Sequence, residues 1–318
     1  PDFDDDGNPN SLDPDDDNDG FDDTEDPFAI DPDDGTTTTA PVEYSFERGS
    51  EPGTILDLGF TGLMTNGQDD YQDLYDTENV IAGAAAPVLT IENVPPGDAY
   101  EGTNTQQYAF QSGVQVNDEP LTVHTTLEAP FSSQPDDADG FRSQGVYIGN
   151  GDQDNYIKLV VTENAQTGQT PGLEVVREVG GSATDSTKLD ETEVVGSKTV
   201  DLYIDIDPDT DTATARYEIT GNNIDGTISG EVGEFDIPSS WLDSTDQGMA
   251  FGVISTSNGA GTFDNPENSP YTATYTQLEV VPQGQVGNED PTAEFTTSPT
   301  DPTTGEQVTF DASGSSDS

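Results

Sequence analysis

The residue pattern predicts a mostly β chain, with antiparallel strands packed face to face as a β-sandwich. Three observations carry that prediction. Val200, Leu202, Ile204 and Ile206 alternate with Asp201, Tyr203, Asp205 and Asp207, the period of two of a half-buried strand. Similar runs recur along the chain, punctuated by turns rich in Gly, Asn, Asp and Pro. No amphipathic helix longer than a turn near residues 238–242 competes with them. Each sheet of such strands has one apolar face to bury, so two of them stack.

The first element precedes the strands and is a repeat. Asp2-Phe3-Asp4-Asp5-Asp6-Gly7 is followed by Asn10 and Asp13-Pro14. The same series returns as Asp15-Asp16-Asp17-Asn18-Asp19-Gly20, then Asp23 and Asp26-Pro27. Each unit reads D-x-D-x-D-G-x-x-[DN]-x-x-D-P. Alternate carboxylates can curl round one cation only if the chain turns sharply, and Gly at the sixth position permits that turn. Calcium takes six to eight hard oxygens at about 2.3–2.6 Å, so the spacing points to calcium as the cofactor. The expected ligands are Asp2, Asp4, Asp6, Asn10 and Asp13 in one unit, and Asp15, Asp17, Asp19, Asp23 and Asp26 in the next. A third unit loses the spacing after Asp31-Pro32-Asp33, which leaves Asp31 and Asp33 to cap the last ion. The alternative is a solvated acidic linker; the joint recurrence of ligand positions, Gly and Pro favours calcium. The two units resemble the thrombospondin type 3 repeat, without that family's cysteines and with Asn10 as a departure. The resemblance implies a string of shared calcium ions and little hydrophobic core.

After the threonines at 36–39 the strand pattern begins. The 200–207 run passes through Pro208-Asp209-Thr210-Asp211 into Ala215, Tyr217 and Ile219, alternating with Thr214, Arg216 and Glu218, which reads as a hairpin. Further runs lie at 121–127, 146–148, 156–161, 173–179, 249–254 and 272–280. Their order resembles the concanavalin A-like lectin/glucanase jelly roll. Gly145-Val146-Tyr147-Ile148-Gly149, Asn155-Tyr156-Ile157-Lys158-Leu159, Gly172-Leu173-Glu174-Val175 and Gly248-Met249-Ala250-Phe251-Gly252-Val253 carry that resemblance. It implies a sandwich with a concave sheet, often used to bind glycans. The end of the chain, from Asn288-Glu289-Asp290-Pro291 through Phe295 and Phe310 to Asp311-Ala312-Ser313-Gly314, resembles the opening of a polycystic-kidney-disease (PKD) domain. The expected organisation is repeats over 1–35, a jelly-roll sandwich over 36–284, and a partial PKD (immunoglobulin-like) domain or linker over 285–318.

Composition narrows the function. The 318 residues carry 65 acidic and 7 basic side chains, a formal charge of −58. Nucleic acid needs clustered Lys and Arg, and an anionic membrane surface would repel the chain. Self-repulsion on this scale opposes compaction. Molar salt relieves it by shortening the Debye length to about 3 Å, and so do bound divalent ions. Acid spread along the whole chain therefore points to a high-salt setting, and the ensemble resembles secreted surface proteins of haloarchaea. There is no Cys, which excludes disulfides and thiolate metal sites. No apolar stretch approaches the ~20 residues of a membrane span.

Catalysis finds little support in the sequence. A retaining glycoside hydrolase needs two carboxylates about 5–5.5 Å apart, and the nearest run, Asp190-Glu191-Thr192-Glu193, lacks the E-x-D-x-x-E spacing and the apolar context of the endoglucanases that the jelly roll resembles. The single histidine, His124, alternates with Val123 and Thr125 and is expected to face away from the core into solvent. Asp69, Asp70, Asp73 and Asp76, and likewise Asp152 and Asp154, offer carboxylates for a further calcium, but without the regular spacing of the repeats they read as solvated loops first. Tyr147, Tyr156, Tyr203, Tyr217 and Trp241 read as sheet-packed aromatics before sugar platforms. The expectation is a non-catalytic, extracellular or cell-surface, calcium-binding adhesive or structural protein, with extracellular glycans or copies of itself as further partners. The alternatives are a self-assembling subunit of a filament or surface layer, acting by strand addition, and the carbohydrate-binding part of a secreted polysaccharide-active enzyme.

Overall fold

The computed structural model describes residues 2–44, 46, 58–83, 87–132, 141–164, 170–221, 226–258, 271–286, 296–298 and 309–311. Its strands, in chain order, are β1 (Val42–Tyr44), β2 (Gly62–Leu63), β3 (Val80–Ala82), β4 (Leu89–Val94), β5 (Phe110–Val114), β6 (Leu121–Glu128), β7 (Phe141–Gly149), β8 (Tyr156–Asn164), β9 (Gly172–Glu178), β10 (Ala183–Asp190), β11 (Ser197–Asp207), β12 (Thr212–Gly221), β13 (Thr227–Asp236), β14 (Met249–Asn258), β15 (Tyr271–Pro282), β16 (Thr296–Ser298) and β17 (Thr309–Asp311). Among the described residues one α-helical turn, α1 (Ser239–Leu242), falls where the sequence placed a turn.

The expected sandwich is present. One sheet has eight strands, in the order β13-β12-β11-β6-β15-β4-β3, with β1 also paired to β15. The other has seven, in the order β10-β9-β8-β7-β14-β5-β2. Every ladder between these strands is antiparallel. The predicted hairpin is β11–β12, with Ile204 opposite Ala215 and Leu202 opposite Tyr217. Alternation sorts the side chains as expected: Val200, Leu202, Ile204 and Ile206 meet Ile157, Leu159, Val161, Leu173 and Val175 of the facing sheet in one buried core.

Residues 1–283 form one compact unit and residues 284–318 a second. In the second, Thr296–Ser298 pairs antiparallel with Thr309–Asp311; most of the expected PKD segment lies outside the described residues.

Within the first unit the acidic segment is built into the sandwich. Phe28 and Ala29 are fully buried, and Ala29 and Ile30 belong to the main core. The backbone is stitched across as well. Ile30 N–H donates to Thr61 O (3.2 Å), Gly248 N–H to Asp34 O (2.7 Å) and Gln115 N–H to Thr38 O (2.7 Å). The Gln111 side chain donates to Pro27 O at 2.7 Å. This close approach explains one glycine pair: a Cβ added at Gly113 would lie 2.7 Å from Gly35 Cα. Two backbones touch where any side chain would hold them apart.

Candidate metal centres

The two Asp-rich units fold identically in their turns. In each, the Gly amide donates to the first Asp: Gly7 to Asp2 (3.2 Å) and Gly20 to Asp15 (3.1 Å). The fifth residue donates to the third, Asp6 to Asp4 (3.0 Å) and Asp19 to Asp17 (3.1 Å). The seventh donates to the fifth, Asn8 to Asp6 (2.7 Å) and Phe21 to Asp19 (2.8 Å). Gly7 and Gly20 hold φ of 101° and 103°, and the fourth residues, Asp5 and Asn18, hold 60° and 59°. Asp6 Oδ2 also accepts from Asn8 Nδ2 (2.9 Å) and Asp4 Oδ2 from Asn18 Nδ2, whereas Asp2, Asp15 and Asp17 each keep one oxygen with no partner among the described residues.

Asp2, Asp4 and Asp6 place ligand oxygens within 4.8 Å of one another, and so do Asp15, Asp17 and Asp19. A third group joins Asp19, Asp26 and Asp34 at the same spacing, so Asp19 is shared between neighbouring groups. Asp34 is the residue that sequence reasoning missed. The third unit is a shortened loop in which Gly35 N–H donates to Asp31 Oδ2 (3.0 Å), with φ of 48° at Asp34 and 71° at Gly35. That tight turn carries Asp34, rather than Asp33, to Asp19 and Asp26; Asp33 is exposed and accepts from Thr37 (3.2 Å). Of the other expected ligands, Asp13 accepts from Asp15 N–H at 3.4 Å, while Asn10 and Asp23 meet neighbours outside the three groups.

The charges have no internal answer. No Lys, Arg or His precedes Arg48 in the sequence. Asp2 Oδ1, Asp15 Oδ1 and Asp17 Oδ2 are buried with no hydrogen-bond partner among the described residues. Asp17 itself is only 6% exposed. Burial first, and then the neighbouring acids, pushes these carboxyls up: Asp17 to about 6, Asp34 to about 7 and Asp26 to about 8. Hard oxygens, no soft donor and a surplus of negative charge suit calcium among the common metals.

Elsewhere the surface offers less than the sequence allowed. His124 faces away from the core as expected, yet it is not solvated, being 3% exposed. Its Nδ1 lies 2.8 Å from Glu279 and its Nε2 3.1 Å from Asp201. Tyr203 stacks on the imidazole at 4.5 Å between centroids, and the Arg216 guanidinium sits 4.1 Å over the Tyr203 ring. Tyr147, Tyr156, Tyr203, Tyr217 and Trp241 are all buried. The outer face of the seven-stranded sheet is covered in part by the segment before β5. There Glu178 accepts from the amides of Glu101 (2.9 Å) and Gly102 (3.3 Å), and Gln106 donates to Ser255 O (2.8 Å). Beside this strap a depression of about 300 Å³ remains, lined by Asp98, Tyr100, Lys158 and Glu174 among others. Tyr100 is 40% exposed. Asp70 and Asp76 cap short 3-10 turns, accepting from Gln72 N–H (2.8 Å) and Glu78 N–H (2.9 Å). Asp152 is occupied within its own turn by Asn150, Asp154 and Asn155. No described helix is long and apolar enough to cross a membrane.

No family model and no curated protein matches the sequence. Among solved structures, the endo-1,3-β-glucanase from Streptomyces sioyaensis is similar at 14% identity and a TM-score of 0.46, over 75% of this chain and 94% of its own. Lectin UEA-II, complexed with galactose, is similar at 9% identity and 0.41, over 77% and 99%. The Bacillus licheniformis β-glucanase is similar at 11% identity and 0.39, over 77% and 99%. Both lectins and glucanases thus stand among the neighbours. Likeness at this level lends no function to the chain.

Proposed function

We propose that this chain is a non-catalytic, extracellular, calcium-binding adhesive or structural protein suited to high salt, in which calcium makes the Asp-rich repeats a rigid part of the sandwich. One observation carries the reading: Asp2, Asp15 and Asp17 each hold a buried carboxylate oxygen with no partner among the described residues, in triads made of aspartates alone. An acid–base catalytic pair would need one carboxyl set apart from another by its surroundings. Here burial raises Asp17, Asp26 and Asp34 alike, so none is set apart from the others as acid or base. The formal charge of −58 supports a salt-rich setting on general electrostatic grounds. Beyond calcium, the partners we infer are extracellular glycans or further copies of the chain. The depression beside Tyr100 is one part of the described surface that suits a sugar ring, because an exposed aromatic lies next to charged hydrogen-bonding groups of both signs. A glycan-array signal that survives Tyr100→Ala would remove that assignment.

Calorimetric titration of calcium in molar salt tests the main reading through Asp19, the shared ligand. Wild-type protein is expected to bind at least three ions. Asp19→Asn should weaken two of those sites together, by tenfold or more, while the Asp2–Asp4–Asp6 site keeps its affinity. Loss of a single site would break the shared-ligand arrangement, and heat-silent titration of the wild type at every temperature, with no ion retained, would sink the calcium reading.

A further inference from the structure

A second set of acidic groups lies where the repeats meet the sandwich, and it uses none of the triad residues. Asn10, Asp16 and Asp23 come from the repeats; Asp70, Tyr71 and Gln72 come from the segment between β2 and β3. The Tyr71 hydroxyl donates to Asp16 Oδ2 at 2.6 Å, and Gln72 Nε2 donates to the same oxygen at 3.3 Å. Asn10 Nδ2 donates to the Tyr71 hydroxyl at 3.3 Å, and Gln72 Nε2 reaches Asn10 O at 3.1 Å. Asp16 N–H donates to Asp23 Oδ1 at 3.0 Å. The seam is therefore closed by direct bonds on one side of each group.

Three oxygens of these residues are left over. Asn10 Oδ1, Asp16 Oδ1 and Asp23 Oδ2 are buried with no hydrogen-bond partner among the described residues. Their residues are 4%, 2% and 2% exposed. Asp70 lies close enough to repel both Asp16 and Asp23. A buried carboxylate without a counter-charge is strongly unfavourable, and here two of them meet a third at a seam without Lys, Arg or His. Leaving one oxygen of each unpaired adds to that penalty. A hard divalent cation relieves both at once, since it supplies the missing charge and takes the free oxygens as ligands.

We propose that a further calcium ion is held at this seam by Asn10 Oδ1, Asp16 Oδ1 and Asp23 Oδ2, with Asp70 completing its charge from the sandwich side. The inference deepens the calcium reading above and rests on it, but the site differs in kind. The triads are assembled within the repeats alone, whereas this one exists only when repeats and sandwich are docked. It would make calcium a fastener between them as well as a filler of loops.

The test is a count of bound calcium on the full chain, by equilibrium dialysis in molar salt, for wild type, Asp23→Asn and Asp70→Asn. Each variant should hold one ion fewer than wild type and keep the triad ions. Terbium supplies an independent readout, because its emission is sensitised by a tyrosine ring in close contact. Emission excited through tyrosine should fall severalfold in Tyr71→Phe and Asp70→Asn and persist in Asp4→Asn. Equal calcium counts in wild type and both variants, with the triad ions present, would overturn the seam site while leaving the repeats as calcium binders. No bound calcium in any of the three would overturn both.

Discussion

Removing calcium should lower the melting temperature by at least about 10 °C, and should do so most at pH 8. A ligand at 100 times its Kd stabilises the state it binds by about 2.7 kcal/mol, so three triads together supply roughly 8 kcal/mol. A domain of 150–250 residues shifts by about 2–4 °C per kcal/mol, which places 10 °C at the conservative end. The pH dependence carries the sharper signature. In the calcium-free fold, Asp17, Asp23, Asp34 and Asp26 titrate at about 6, 7, 7 and 8, raised from 3.8 mainly by burial. Between pH 4 and 8 the folded chain then binds more protons than the unfolded chain, and stability falls as pH rises. Calcium inverts this, because binding displaces those protons and strengthens as pH rises. Melts in chelator should therefore decline from pH 5 to pH 8, while melts in calcium hold level or climb over the same range. Parallel curves would mean that the carboxyls do not act as calcium ligands.

His124 to Gln is expected to destabilise the sandwich by about 3–5 kcal/mol near pH 6, the usual effect of removing one member of a buried ion pair. The imidazole is held between Glu279 and Asp201, and Thr126 also donates to Asp201 at 2.6 Å. Tyr203 lies against the ring, with Arg216 beyond it bonded to Asp205. Burial pulls the imidazole pKa down, but its hydrogen bonds to Asp201 and Glu279 outweigh that, so the value stands above 6.5. A group whose folded pKa is raised gives its full stabilisation below the unfolded value and loses it as pH rises through the folded one. The gap between wild type and His124→Gln, measured by urea unfolding, should thus narrow as pH is raised. A gap that widens with pH would mean that the histidine is neutral where it sits.

Much of the fold was legible because half-buried strands announce themselves. β11 and β12 are strict alternations with one apolar face, and both appear where the residues placed them. β10 and β13 escaped because they are the edge strands of their sheets. Ala183–Asp190 has no buried residue, and Thr227–Asp236 buries only Val232 and Phe235. An edge strand pairs through its backbone on one side only, so its side chains need no apolar pattern. His124 shows a different limit. Its facing was readable from alternation, but its cover comes from Glu279, Asp201 and Tyr203, on strands far apart in sequence. In the repeats, the turn-forming positions were readable from spacing alone. Asp34 was not, because its loop is a residue shorter than the pattern being matched. The docking of the repeats left even less trace: Gly35 and Gly113 look like ordinary turn glycines until their backbones are seen to touch.

Hydrogen exchange over residues 14–38, in calcium and in chelator at pH 8 and molar salt, tests most directly whether calcium fastens the repeats to the sandwich. The amides that mark the joint are Ile30 and Gly248, which bond to Thr61 O and Asp34 O. With calcium they should be protected as strongly as the strands of the core. In chelator, protection across 14–38 and at Gly248 should fall by at least tenfold while β7 and β8 stay protected. Identical protection in both conditions would contradict the account, because the acidic segment would then be held by its apolar contacts alone.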